Sequence, residues 1–459
     1  MARCVTKHPT KELKMEKFSN FERSIAHSLK HMPGLKRRLK NGYLSVSALF
    51  FREKNFQTYL APNLSLITPS QWANVDLNPS DWEEFYGYFG KSPWSNDGRW
   101  FVCHTQQRDQ KSVFLVVYNQ EKATRTILAE TPCWTKQQGA MACWLNHEGQ
   151  DAIIYNDLVA GQPGSVIVSP AGQRLAEYAY CFQENWTGTN SFFSINYQRL
   201  FMNGTEYGFP YPSCEKLPLA EDQDGIWIVD RSSGKGELFC SIEAVKKLDP
   251  TPDMDEANHE FNHLSCAPDG SKMVFIHRYR GKNGQVSRLI SADLETQGLS
   301  VMTALSLSSH YCWLDSERLL IWGRDSDADS AGYYSVNVSE NQLEAAGPDA
   351  FAQRPDGHPS LFDKYVITDS YPNRRLQQDL VLYDIETKQV ETLGRFYHPL
   401  KFREANRIDL HPRWHPQGIA ASIDAGFSGR RQCYILQIED ALKRQDTTLA
   451  QAALHNKAD

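Results

Sequence analysis

Apolar positions in this chain fall in short runs, not in long stripes. MVFIH (273–277), LLIWG (319–323), YVITD (365–369) and IAASI (419–423) are each five residues of strand character. They are too short for a helix face and rich in the residues that suit a pleated surface. Before each run stands a bulky or apolar position (Cys266, Trp313, Leu361 or Trp414), and a turn lies between. Ala-Pro-Asp-Gly and His-Pro-Gln-Gly are two such turns, where Gly supplies the positive φ of a tight hairpin. Further strands follow in each unit: SRLISAD, GYYSVN, DLVLYD and RQCYIL. Trp94, Trp144 and Phe192 open three earlier units of the same kind, which makes seven repeats at a spacing near fifty residues, except for the longer third unit between Phe192 and Cys266. That period is the period of a β-propeller blade.

The expected fold is therefore all-β, a seven-bladed β-propeller spanning 46–440. A basic helical extension (1–45) precedes it and a C-terminal helical tail (441–459) follows. The seventh repeat lacks a fourth strand, and an unpaired sheet edge must be covered. ALFFRE (48–53) is the segment expected to cover it.

The same register places one residue per repeat beside the central channel: Lys91, Met141, Thr189, His263, His310, His358 and His411. Four imidazoles in consecutive repeats point to a metal or acid–base site. Asp409 and His411 alternate along one strand entry, so both can face the same way. With His358 and the amide oxygen of Asn406 they make a candidate site for Mn²⁺ or a similar divalent ion. His263, His310 and Lys91 are the candidates for proton transfer.

Loops between second and third strands share a face with these histidines. They carry Arg278, Arg280, Arg324, Arg374 and Arg430. Guanidinium groups pair carboxylates bidentately, so this face is expected to bind an anion. Arg278, Arg280, Arg324, Tyr371, Arg374 and Arg413 are the candidate substrate-binding residues.

Composition narrows the partners. Residues 1–45 hold eleven basic and three acidic residues, a balance of +8, so the remainder of this −6 chain carries −14. A solvated extension is the plain reading of that segment; contact with an anionic membrane or an acidic partner is the alternative. Nucleic acid is not expected, because no aromatic-interleaved basic stripe accompanies the charge. The ten cysteines form no CxxC pair. That reads as a reduced, cytoplasmic protein without a cysteine metal site. Neither a secretory signal nor a transmembrane run is visible.

Over residues 258–438 the chain resembles the oligogalacturonate lyases, seven-bladed propellers with a Mn²⁺ site. The resemblance lies in Gly357-His358-Pro359-Ser360, in Asn406 through Trp414, in Ser309-His310-Tyr311 and in Ser287-Arg288-Leu289-Ile290. Asp409 stands where that family has a histidine, Asn406 where it has a glutamine, and Tyr311 where it has a glutamate. DGHPS, TDSYP and DLHPRW also look like segments of uncharacterised propeller proteins from bacterial capsule and exopolysaccharide gene clusters. The resemblance implies a lyase that cleaves a uronic-acid-containing oligosaccharide or polysaccharide by β-elimination. His358, Asn406, Asp409 and His411 would hold the metal and Arg288 would meet the substrate carboxylate. A glycan hydrolase or transglycosidase needs a carboxylate pair instead, with Asp369, Asp409 and Asp424 as possible members. A propeller that only binds glycans is the third class.

Overall fold

The computed structural model describes residues 56–75, 82–107, 110–204, 206–210, 219–282 and 284–439, with positions 42 and 442 standing alone. The expected helical extension, the 48–53 strand and the C-terminal tail lie outside the described residues, those two positions aside. Strands pair antiparallel with their sequence neighbours and form propeller sheets. Four sheets have four strands each, within 143–178, 184–241, 258–301 and 305–345. A fifth contains Ser360–Phe362, Tyr365–Asp369, Gln377–Asp384 and Val390–Tyr397, with Thr58–Leu60 added at its outer edge.

The sixth sheet has eight strands and joins the two ends of the propeller. Arg413–Trp414, Ala420–Ala425 and Gln432–Gln437 come from the C-terminal side. Trp82–Phe85, Trp100–Gln107, Val113–Asn119 and Thr124–Thr131 come from the N-terminal side. Separate blades therefore number five, not the seven expected from the repeats. The physical cause is one parallel register pair, Gln432 with Glu84, which fuses the first and last repeats into one sheet. Ser65–Ile67 pairs with Gln432–Gln437 and covers the edge that 48–53 was expected to cover.

Repeat landmarks pack as the pattern requires. Trp144 Nε1 donates to Pro93 O (2.8 Å), Trp313 Nε1 to Ser265 O (3.4 Å) and Trp414 Nε1 to Ser360 O (3.0 Å). Each indole thus reaches the residue just before the landmark of the preceding repeat, and ties one innermost strand to the next. Between sheets, apolar faces meet directly. Val274, Ile276 and Leu289 pack with Tyr311, Trp313, Leu319 and Ile321, while Tyr365, Ile367 and Leu382 pack with Trp414, Ala421 and Ile423. Burial of such faces supplies most of the stabilisation.

Among the described residues the α-helices are four, of four to six residues each. No helix there is long and apolar enough to cross a membrane. The eight cysteines described are all free.

Candidate metal centre

Local backbone irregularity aims the histidines. In the strand Asn258–Cys266 the register with its neighbour shifts between Asn262 and Ser265, around His263. In Leu305–Trp313 it shifts between Ser308 and Tyr311, around His310. Such bulges redirect a side chain out of the pleat. Met141, His263 and His411, three positions of the predicted ring, adopt positive φ (55°, 54° and 45°). That region is sparsely populated by residues other than Gly, with Asn, Asp and His the best tolerated.

The four imidazoles do converge. Ring centroids lie 5.5 Å apart for His263 and His310, 4.0 Å for His310 and His358, and 4.1 Å for His358 and His411. Phe89 packs against all four, with its centroid 5.2 to 5.9 Å from each. All five side chains are buried.

In every case Nδ1 is the anchored nitrogen. His263 Nδ1 meets Tyr88 Oη (3.2 Å), and His310 Nδ1 meets Asp356 Oδ1 (3.2 Å). His358 Nδ1 meets Asp369 Oδ1 (2.9 Å), and His411 Nδ1 meets the carbonyl oxygen of Gly87. A carbonyl can only accept, so His411 carries its proton on Nδ1 and offers a lone pair at Nε2. Paired carboxylates impose the same tautomer on neutral His310 and His358. This outer-partner arrangement is the one that orients metal-binding histidines. Asp369 also accepts the backbone N–H of His358 (2.7 Å) and of His411 (3.0 Å), so one buried carboxylate fixes both residues.

His358, Asp409 and His411 bring ligand atoms within 4.8 Å of one another. Bonds of about 2.2 Å to one ion keep any two ligand atoms within about 4.4 Å. The group therefore closes on a divalent ion with shifts of a few tenths of an ångström, and two imidazoles plus one carboxylate suit such an ion.

Electrostatics divides the ring. Burial, and then the neighbouring His358 among other positive groups, pushes His411 well below its ordinary pKa. Burial and then His310 do the same to His263, and burial and then His358 lower His310. Burial opposes the charge on His358, but Asp369, together with Asp409 and Asp356, outweighs it and the pKa is raised. Asp409 is held below the usual carboxylate range: burial alone would raise it, and the Arg407 guanidinium, together with His358 and His398, more than offsets this.

Several predicted site residues are placed elsewhere. Asn406 sits exposed on the turn Glu404–Asn406, and its backbone oxygen accepts from Arg431 (3.2 Å). Its amide is not part of the buried cluster. Lys91 is spent on a buried ion pair with Glu184 (2.6 Å) and lies over the Tyr88 and Phe182 rings. Arg288 donates to the carbonyls of Val245, Leu248 and Asp249 and to His277 Nδ1, clamping the end of the helix Ile242–Lys246. Arg413 is buried against Tyr88 O, Gly87 O and Asp424. Of the loop arginines, Arg280 bonds Gln285 (3.0 Å) and Arg324 bonds Asp329 (3.0 Å), both toward solvent. Arg374 is half-buried in the loop that carries Tyr371.

Two predicted substrate residues do reach the ring. Tyr371 stands edge-on to His358 (5.7 Å). Arg278 lies over Tyr207 (5.8 Å), which is itself edge-on to His263 (5.2 Å). Sequence reasoning missed Arg407, Glu206 and Tyr207. Arg407 grips Asp409 with Nε (2.8 Å) and Nη2 (2.8 Å), reaches Glu206 (3.2 Å) and covers the Tyr371 ring (4.8 Å). Its place two residues before Asp409 was the available signal.

The fold and this buried histidine cluster define a β-propeller with a candidate metal centre in its channel. Solved structures similar to it are an oligogalacturonate lyase from Vibrio parahaemolyticus (TM-score 0.56, 14% identity, 84% of this chain and 96% of that one). A second is an oligogalacturonate lyase in complex with manganese (TM-score 0.56, 13% identity, 83% and 96%). At this identity the likeness establishes the propeller fold. No protein-family profile matches the chain, and no curated protein does.

Proposed function

We propose that this protein is a lyase that cleaves a uronic-acid-containing glycan by β-elimination. The observation that carries the reading is the buried imidazole cluster, anchored through Nδ1, with Asp409 beside His358 and His411. Bound by these three residues, a divalent ion, Mn²⁺ by the resemblance, would supply Lewis-acid stabilisation of the charge that develops at a uronate carboxylate. His358, Asp409 and His411 hold their geometry through Asp369, Arg407 and Gly87. His263 and His310 are kept neutral by burial, so each can accept the proton that leaves C5. His263 Nε2 is buried without a hydrogen-bond partner among the described residues, which fits a group whose partner is the substrate.

A hydrolase is less well supported. Asp369 serves His358 and His411, Asp424 serves Arg413 and two backbone N–H groups, and Asp409 is gripped by Arg407. Those commitments leave none of the three as a partner across the channel.

The proposal includes the ring itself. The eight-stranded sheet reads as two blades that share a single parallel register pair, which with the five separate sheets makes seven. The occupant is an acidic oligosaccharide.

Unsaturated products absorb ultraviolet light. The test incubates the Mn²⁺-loaded protein with galacturonate and glucuronate oligosaccharides and follows absorbance, with metal content measured for wild type and His411→Ala. Product formation that His411→Ala abolishes together with bound metal supports the reading. Reducing ends released without ultraviolet absorbance, or equal metal in both proteins, would overturn it.

A further inference from the structure

A lyase of this kind needs a cation facing the substrate carboxylate. Arg288, the residue that resemblance would assign, is turned into the fold and clamps a helix end. Among the guanidinium groups described, Arg407 is the one in contact with the candidate metal centre. A guanidinium offers two edges to carboxylates, Nε with Nη2 and Nη1 with Nη2. Asp409 fills the first edge at 2.8 and 2.9 Å from Nε and 2.8 Å from Nη2. The second edge is held loosely. Glu206 reaches Nη2 through one contact of 3.2 Å, and Nη1 has no hydrogen-bond partner among the described residues. Arg407 and Glu206 are about a quarter exposed (25% and 23% of the side chain), whereas Asp409 (1%) is enclosed. The Tyr371 ring lies 4.8 Å from Arg407 Cζ and edge-on to His358, which places the guanidinium beside the imidazole cluster.

We propose that Arg407 is the specificity-determining residue for the substrate carboxylate, and that Glu206 is an internal surrogate which that carboxylate displaces. The inference rests on the uronate reading above. One Nη2–Glu206 contact is exchanged for a bidentate Nη1/Nη2 pair, and the displaced glutamate turns to solvent. Removing the surrogate charge therefore strengthens uronate binding, and removing the guanidinium edge weakens it.

The experiment measures binding of trigalacturonate, triglucuronate and their methyl esters by titration calorimetry, with Mn²⁺ saturating and its binding checked separately. Glu206→Gln should bind the acids about 5- to 10-fold more tightly and the esters unchanged. Arg407→Gln should bind the acids at least tenfold more weakly. Arg407→Lys keeps the charge beside Asp409 but lacks the fork, and should also lose most of the acid-over-ester preference. Equal affinity of wild type and Glu206→Gln for the acids, or an acid preference that survives in Arg407→Lys, would overturn the proposal, as would failure of every form to bind uronate. Product absorbance is read in parallel. Tighter acid binding without unsaturated product would sink the lyase reading and keep this one. Unsaturated product with no effect of Glu206→Gln would do the reverse.

Discussion

Arg288→Ala distinguishes a structural guanidinium from a substrate-facing one. Arg288 is 9% exposed and its side chain makes four hydrogen bonds. Its removal strips the carbonyls of Leu248 and Asp249, and Nδ1 of His277, of this donor. Val245 O keeps the N–H of Leu248 (3.2 Å). Nδ1 of His277 is a buried acceptor and counts for roughly 1 kcal/mol or somewhat more, while water partly reaches the carbonyls of half-buried Leu248 and exposed Asp249, so the loss is about 2 kcal/mol. Relief of the guanidinium's own desolvation keeps the figure from rising further. Arg288→Lys should recover little, because one ammonium cannot serve acceptors that a planar fork spans. Urea unfolding measures the stability, and titration with trigalacturonate measures the affinity of the folded variant. Stability should fall by about that amount while affinity stays within twofold. Wild-type stability combined with a tenfold loss of uronate affinity would show that Arg288 faces substrate and that the clamp is incidental.

Two further outcomes follow from single side chains. His104 is buried, its Nε2 accepts the Ala140 N–H (3.0 Å), and burial lowers its pKa to about 4. The unfolded chain then takes up a proton below pH 6.5 that the folded chain does not, so this contribution is complete above 6.5 and is lost as pH falls toward 4. Between pH 7 and 5 it amounts to about 2 kcal/mol; His104→Gln should flatten the pH dependence of urea stability by about one proton, and an unchanged slope would refute this. Gly418 has φ +70°, and a Cβ there would stand 2.2 Å from Phe362 Cε1. Gly418→Ala should cost about 2 kcal/mol, and a loss under about 0.5 kcal/mol in urea unfolding would show that Phe362 swings away freely.

Much of the architecture was legible locally. YVITD appears in the fold with the bounds read from the sequence, MVFIH and LLIWG lie within longer strands, IAASI is offset by one residue at its start, and the landmark tryptophans sit where the repeat puts them. Histidine register also carried over: His263 and His310 sit at register shifts inside their strands and His358 and His411 just before theirs, and the four rings still converge. His358, Asp409 and His411, three of the four residues grouped from the sequence, stand together in the fold, and Asn406 does not join them.

Tertiary structure decided what each polar group is spent on. Arg288 reads as a site residue until its carbonyl partners some forty positions earlier are seen, and Lys91 until Glu184 is. Arg407 meets Glu206 across 201 positions, and His411 meets Gly87 across 324. The joining of first and last repeats through Glu84 and Gln432 belongs to the same class. Repetition and alternation are properties of neighbouring residues, so a sequence displays them. Ion-pair partners and tautomers depend on which distant segment the closed ring brings alongside, and burial makes those choices energetically binding.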